Sequence, residues 1–323
     1  MRIILGLSEF FYLSLHHQLT LRRHKMVNIK RLLIKTKQNP RYLKYYLLNV
    51  LGYYYKKRSI PSFVYFRPKD LDLGQPCGLR KLHVILRTTD TVMNINAPRN
   101  LDDIGIVTRN DVIRVGGCSL FKAGAQFAQA YGKENLRITI IADRLSETGR
   151  SQYQEAANAA NLNFEIVEAK GHGSGPTFQS QIDIALQDTD DTLAFILEDD
   201  YLLDDDAFTT CFRVMRDHAN VIGMNPHFHP DRIRRHDTGK LVVIDGKLYG
   251  QIYNTCCTFF MPVSQMKRYE KHLRVFECWE DGSINAIWKK GICLSPLGWT
   301  MSEALHRSEL SPGTSLLNTY QPS

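Results

Sequence analysis

Residues 191–208 read D-T-L-A-F-I-L-E-D-D-Y-L-L-D-D-D-A-F. Leu193 to Leu197 form an unbroken apolar run, which predicts a short strand buried on both faces. The chain then delivers Glu198, Asp199 and Asp200 directly at the carboxyl end of that strand, the end at which open α/β sheets bind ligands. Three adjacent carboxylates repel one another. A fold that gathers them needs a compensating cation, and oxygen ligation suits Mg²⁺ or Mn²⁺. A solvated acidic turn is the alternative, but an apolar strand running straight into the acids is not the pattern of a surface charge run. Asp204 to Asp206 read as the N-cap and first turn of a helix beginning near Ala207, where negative charge suits the helix dipole.

Upstream, apolar strands alternate with helical patterns. A strand is expected over residues 81–86, followed by a polar loop Arg87-Thr88-Thr89-Asp90. Residues 94–111 hold Pro98 and show neither periodicity, so they read as a loop. Then come a helix over 118–131, a strand over 136–142 ending in Asp143-Arg144, an alanine-rich helix over 152–161 and a strand over 163–168. Such alternation with short connections predicts a parallel sheet with right-handed crossovers. The glycine-rich loop 171–177, ahead of a helix over 178–186, can approach a diphosphate and offer backbone N–H groups. It lacks the Walker lysine and the G-x-G-x-x-G spacing, so it is neither a P-loop nor a dinucleotide fingerprint.

Downstream, a strand over 220–224 leads into N-P-H-F-H-P-D, where His227 or His229 is a candidate for acceptor-side lining; in an extended segment the two point to opposite faces. A hairpin with a D-G turn is expected over 241–253. A strand over 255–261 follows, then a basic helix capped by Ser264. Glu280 and Asp281 open a helix carrying Ile284, Ile287 and Trp288 on one face, and on chemistry alone such acids are caps. The last strand is expected over 292–294, with a turn over 296–299.

The strand ending in E-D-D, followed by Y-L-L and a helix, resembles the metal-binding D-x-D signature of GT-A-fold glycosyltransferases, enzymes that use nucleotide-sugar donors. Two later stretches, W-E-D-G-S-I from Trp279 and L-G-W-T-M-S-E-A-L-H-R from Leu297, fall in the order in which such enzymes place a catalytic carboxylate and a C-terminal metal-binding histidine. The resemblance covers roughly residues 80–312 and implies an α/β, GT-A-like (Rossmann-like) fold with a central, mostly parallel sheet flanked by helices. It further implies donor contacts from Arg87, Thr88, Asp143, Gly173, Ser174, Glu198 and Asp199. Asp200 and His306 are then ligands of Mn²⁺ or Mg²⁺, and Asp281, with Glu280 beside it, is the general base of an inverting transfer. Burial beside Trp279 would raise Asp281 toward the working pH. The implied partners are a nucleotide-sugar donor and a saccharide or lipid-linked hydroxyl acceptor. Two other readings stay open: a nucleotidyltransferase acting on sugar phosphates, and a non-catalytic nucleotide-sugar-binding module.

A chain of 323 residues with 43% apolar content can bury a full core. Its charge is unevenly spread: up to Lys81 there are 17 basic residues against 3 acidic ones, and beyond it 24 against 30, which together give the net +8. Two parts follow, a basic, tyrosine-rich and helical N-terminal extension over residues 1–76 and a catalytic domain over 77–323, joined through the Gly- and Pro-containing stretch 73–78. The run R-Y-L-K-Y-Y-L-L-N-V-L-G-Y-Y-Y-K-K-R has the cations and tyrosines of an anionic-membrane contact. A helix packed on the catalytic domain is the alternative, and a nucleic-acid arm is the least favoured. Seven cysteines with no C-x-x-C spacing fit reduced thiols better than a disulfide framework or a zinc site. Residues 1–15 are apolar but interrupted by Glu9 and too short to span a bilayer, and no other run reaches 18 apolar residues. These features predict a cytoplasmic protein, with residues 1–76 as a route to the inner face of the membrane.

Overall fold

Apolar runs separated by capping and turn residues sort the chain into alternating strands and helices. The computed structural model describes residues 71–90, 108–227, 238–255, 257–275, 280–297, 299 and 301–304. In chain order the elements are β1 (Lys81–Thr88), α1 (Arg109–Tyr131), β2 (Leu136–Ala142), α2 (Glu147–Ala159), β3 (Glu165–Glu168), α3 (Ser174–Ala185), β4 (Thr192–Glu198), β5 (Tyr201–Leu203), α4 (Ala207–Asp217), β6 (Val221–Met224), β7 (Thr238–Ile244), β8 (Lys247–Ile252), β9 (Phe259–Pro262), α5 (Val263–Leu273), α6 (Glu280–Trp288), β10 (Ile292–Pro296) and β11 (Ser302–Ala304). Up to residue 70 the N-terminal extension lies outside the described residues. Among the described residues no helix is long and apolar enough to cross a membrane.

Nine strands form one sheet in the order β3-β2-β1-β4-β9-β6-β10-β8-β7, and β5 pairs with β11 in a second, small sheet. β8 and β9 run against the other seven strands, so the sheet is mostly parallel. The chain winds from β1 outward through β2 to β3, then returns by α3 to place β4 on the other flank of β1. This reversal between β1 and β4 is a topological switch point, and open α/β sheets bind ligands outside the carboxyl ends of the strands at such a point.

Strand alternation divides the interior into two cores. Leu82, Val84 and Leu86 of β1 and Leu193, Phe195 and Leu197 of β4 pack with Phe121, Phe127, Tyr153, Phe208 and Phe212 from α1, α2 and α4. On the opposite face Ile85, Ala194, Ile196, Phe259 and Met261 pack with Phe178, Ile182, Met266, Ile284 and Trp288 from α3, α5 and α6. Burial on both faces is why β4 is an apolar run rather than an alternating one. At its centre Phe195 stacks on Phe260 with ring centroids 3.8 Å apart.

Several boundaries differ from the sequence expectation for identifiable reasons. β1 continues through Arg87 and Thr88 instead of ending at Leu86, because both residues still pair with neighbouring strands. α1 begins at Arg109 rather than Cys118, started by a capping box in which Thr108 and Asp111 bond each other's backbone N–H. Ser264 lies inside α5, whose N-cap position is Pro262. The expected hairpin is present, with Val243 opposite Leu248 and its turn at Asp245 and Gly246.

The packing of α6 on the sheet yields a stability prediction. A Cβ at Gly223 would stand 2.4 Å from Cζ3 of Trp288, which is fully buried. Gly223→Ala is expected to destabilise the protein by about 1–3 kcal/mol through overpacking. At Gly78 a Cβ would meet nothing within 4 Å, so Gly78→Ala should leave the urea midpoint unchanged. Equal midpoints for the two variants would contradict the packing described.

Candidate functional site

An ion pair joins the carboxyl ends of β1 and β4, with the Arg87 side chain buried and that of Glu198 part-exposed. The Arg87 guanidinium engages Glu198, donates to the Ser174 carbonyl, and reaches Thr177 Oγ1 at 3.5 Å. Burial alone would lower the Arg87 pKa, but the charge and hydrogen bond of Glu198, together with Cys257 and Asp199, outweigh it and hold the group above its ordinary value. One side chain thereby joins β1, β4 and the first turn of α3. Beside it, the Tyr153 hydroxyl donates to Thr88 Oγ1 at 3.1 Å, and burial pushes that phenol up, keeping it protonated.

At the end of β2 the buried carboxylate of Asp143 accepts from three donors: His172 Nδ1 at 2.7 Å, the Gly173 N–H at 2.8 Å and Arg144 Nε at 3.0 Å. Burial works to raise its pKa, but the bonds from Gly173, His172 and Arg144 outweigh that and hold it below the usual carboxylate value. The glycine-rich loop is thus fastened to β2 by its backbone, and the Asp143 N–H donates to the Thr88 carbonyl at 2.9 Å.

Beyond β4 a second arginine meets the acidic run. Asp199 Oδ1 pairs with Arg109, the first residue of α1, while Oδ2 accepts from the Thr89 N–H at 3.0 Å. Arg109 Nε also donates to the Thr89 carbonyl at 2.9 Å. α1 passes so close to this turn that a Cβ on Gly116 would lie 3.1 Å from the Asp199 carbonyl oxygen and 3.3 Å from that of Tyr201. Glycine there lets the helix touch backbone. Asp200 is half-buried and leads into β5.

β5 brings the C-terminal part of the chain to the same place. Tyr201 pairs with Ala304 and Leu203 with Ser302. The Met301 N–H donates to the Pro226 carbonyl at 3.1 Å, and His227 Nδ1 donates to the Ser302 carbonyl at 2.6 Å. Because β9 is antiparallel to β4, it enters the sheet at the edge where β4 ends, and the Glu198 N–H donates to Thr258 Oγ1 at 3.3 Å. Upstream of β9, Thr255 is fixed to α6: its N–H donates to Asn285 Oδ1 at 3.0 Å, and its hydroxyl accepts from Trp288 Nε1 at 2.9 Å. Glu280 and Asp281 form the opening turn of α6.

Of the residues expected from sequence, Arg87, Thr88, Asp143, Gly173, Ser174, Glu198 and Asp199 lie together at the carboxyl ends of β1, β2 and β4, each held by a hydrogen bond or ion pair, with Asp200 next in the chain. His306 lies outside the described residues. Arg109, Tyr153 and His172 are site residues that sequence reasoning missed; for Arg109 the legible signal was the T-x-x-D capping box at Thr108. Glu198 faces Arg87 and Asp199 faces Arg109, so these two carboxylates are offset without a metal. Among the described residues no three His, Cys, Asp or Glu side chains gather into a metal-holding group. Asp200 contributes a carboxylate suited to a hard cation, and not by itself a cage.

No family model matches the chain, and no curated protein matches it in sequence. Solved structures do. S. aureus TarS is 12% identical with a TM-score of 0.44, over 69% of this chain and 36% of that one. The mannosyltransferase PcManGT from Pyrobaculum calidifontis, in complex with GDP-Man and Mn²⁺, is 13% identical with a TM-score of 0.39, over 70% and 55%. The galactosyltransferase LgtC, in complex with donor and acceptor sugar analogs, is 14% identical with a TM-score of 0.35, over 65% and 72%. The chain therefore spans about a third of the first of these and just over half of the second.

The Asp143 bonds carry a pH prediction. A carboxylate depressed in the folded state contributes stability that is fully present above its unfolded value, near 3.8, and is lost as pH falls through the lower folded value. Protection of the Gly173 amide from exchange should therefore hold from pH 7 down to roughly pH 4 and fall below it. In Asp143→Asn the protection should already be weak at pH 7 and show no such step. A wild-type amide indifferent to acidification would count against the fastening.

Proposed function

We propose that the protein transfers a sugar from a nucleotide-sugar donor to a hydroxyl acceptor with inversion at the anomeric carbon. One observation carries this reading. β4 ends at Glu198 and runs directly into Asp199 and Asp200 at the sheet's switch point, and β11 is paired with β5 so that Ala304, two residues before His306 in sequence, lies beside Tyr201, next to Asp200. The switch point between β1 and β4 is the place for the donor. Its floor is Arg87, Thr88 and Glu198, and its wall is the loop at Gly173 and Ser174 that Asp143 fastens; first-turn N–H groups of α3 face the diphosphate. A divalent cation, Mn²⁺ or Mg²⁺, held by Asp200 and His306 would offset charge on the leaving diphosphate. Asp281, with Glu280 as its neighbour, takes the proton of the acceptor hydroxyl as that oxygen attacks. The attachment of α6 to Thr255, in the segment leading into β9 at the β4 end, supports this placement.

The reaction is checked by its product. Incubation with a panel of nucleotide sugars should release a nucleoside diphosphate, whereas pyrophosphate would indicate nucleotidyl transfer and no release a binding module. Excess EDTA and Asp200→Asn should each abolish turnover; full activity in EDTA rules the cation out. Asp281→Asn should change stability by less than about 1 kcal/mol while lowering turnover roughly 10²-fold or more. Turnover within about threefold of wild type would end the base assignment.

The basic extension over residues 1–76 is proposed to dock on an anionic membrane surface, which suits a lipid-linked acceptor. The full chain should co-sediment with phosphatidylserine vesicles at low salt and release as ionic strength rises. A chain starting at Leu73 that still binds the vesicles would remove the proposal.

A further inference from the structure

An arginine–carboxylate pair at the mouth of a site is either a contact to the ligand or a clamp, and its bonding pattern separates the two. Both oxygens of Asp199 are engaged within the protein, one by Arg109 and the other by the Thr89 N–H, and Arg109 closes the triangle on the Thr89 carbonyl. The Asp199 side chain is 7% exposed, which leaves little surface for a ligand. Arg109 opens α1, and the same helix meets the acidic turn twice more. Gly116 lies against the carbonyl oxygens of Asp199 and Tyr201, and Ser119 Oγ accepts from the Leu203 N–H at 3.1 Å. Residues 109, 116 and 119 are spaced to fall on one helical face.

We propose that Arg109 and Asp199 are a positioning pair, through which α1 sets the backbone course of residues 199–203 and with it the direction of Asp200. This replaces the donor contact that the family resemblance implies for Asp199. Its consequence for ligand binding rests on the functional reading above; the clamp itself does not.

The test uses the full-length chain and four variants: Arg109→Met, Asp199→Asn, the double variant, and Gly116→Ala. Mn²⁺ uptake, alone and with UDP or GDP, is followed by the electron-spin resonance of free Mn²⁺ well below the melting temperature, and amide exchange is measured over residues 199–203. Arg109→Met should speed exchange there and weaken Mn²⁺ uptake roughly tenfold or more, the scale of a lost hydrogen bond to a charged group. The double variant should be no worse than the worse single one, because both residues act through one contact. Gly116→Ala alters no charge and should also weaken uptake, because its Cβ would press on the carbonyl oxygens of Asp199 and Tyr201 and displace the turn. A merely structural role would lower the melting temperature and leave the Mn²⁺ affinity of the folded protein alone. Additive losses in the double variant would make Asp199 a ligand contact in its own right, and unchanged exchange in Arg109→Met would overturn the clamp. A wild-type protein that takes up no Mn²⁺ with either nucleotide overturns the functional reading, while exchange in Arg109→Met still decides the clamp.

Discussion

Carboxylates emerging from a fully buried strand depend on positive charge close by. A buried charge left without a partner is strongly unfavourable, and adjacent like charges add to that. Here two guanidiniums meet the need from different directions, Arg87 from the neighbouring strand and Arg109 from the first turn of α1. Each also binds backbone. Arg87 reaches the carbonyl of Ser174 and Arg109 that of Thr89, so satisfying the acids also fixes the start of α3 and the end of β1.

The rest of the site is a consequence of chain direction. Parallel strands β1, β2 and β4 all present their carboxyl ends at one edge, while the antiparallel β9 begins there, so the segment ahead of it is held within hydrogen-bond reach of the last residue of β4. That segment binds α6 through Asn285 and Trp288, and β10, parallel to β6, leads the chain back along the same edge to β11. Residues distant in sequence therefore meet through strand polarity.

Sequence periodicity was sufficient wherever burial imposes a pattern. β2 was expected with its observed bounds, β4 and β10 within a residue or two, and α6 with its apolar face, because these elements bury continuous or one-sided apolar surface. It failed where a rule about local propensity was overridden by tertiary contact. α1 runs through Gly116 and Gly117, ahead of the expected start at Cys118, and the glycines there let it pack closely on the turn after β4 and on the Tyr153 ring. β5 and β11 are three residues each, too short for a period, and their pairing is specified only by contacts across about a hundred residues. Arg87 and Arg109 looked like loop residues because nothing local announces a partner carboxylate more than ninety residues away in one case and ninety in the other.

The same ion pairs bear on what a diphosphate would meet. Arg87 and Arg109 each face a carboxylate of their own, and Arg144 lies on Asp143, so none of the three guanidiniums is a spare counterion. The N-terminus of α3 offers a partial positive charge of about half an elementary unit, short of the two or more carried by a nucleoside diphosphate leaving group. Among these described residues, such an anion would meet charges that already balance one another, and its approach is unfavourable unless a cation accompanies it. This shortfall, rather than repulsion within the acidic run, is the electrostatic reason for including a divalent cation in the proposed reaction.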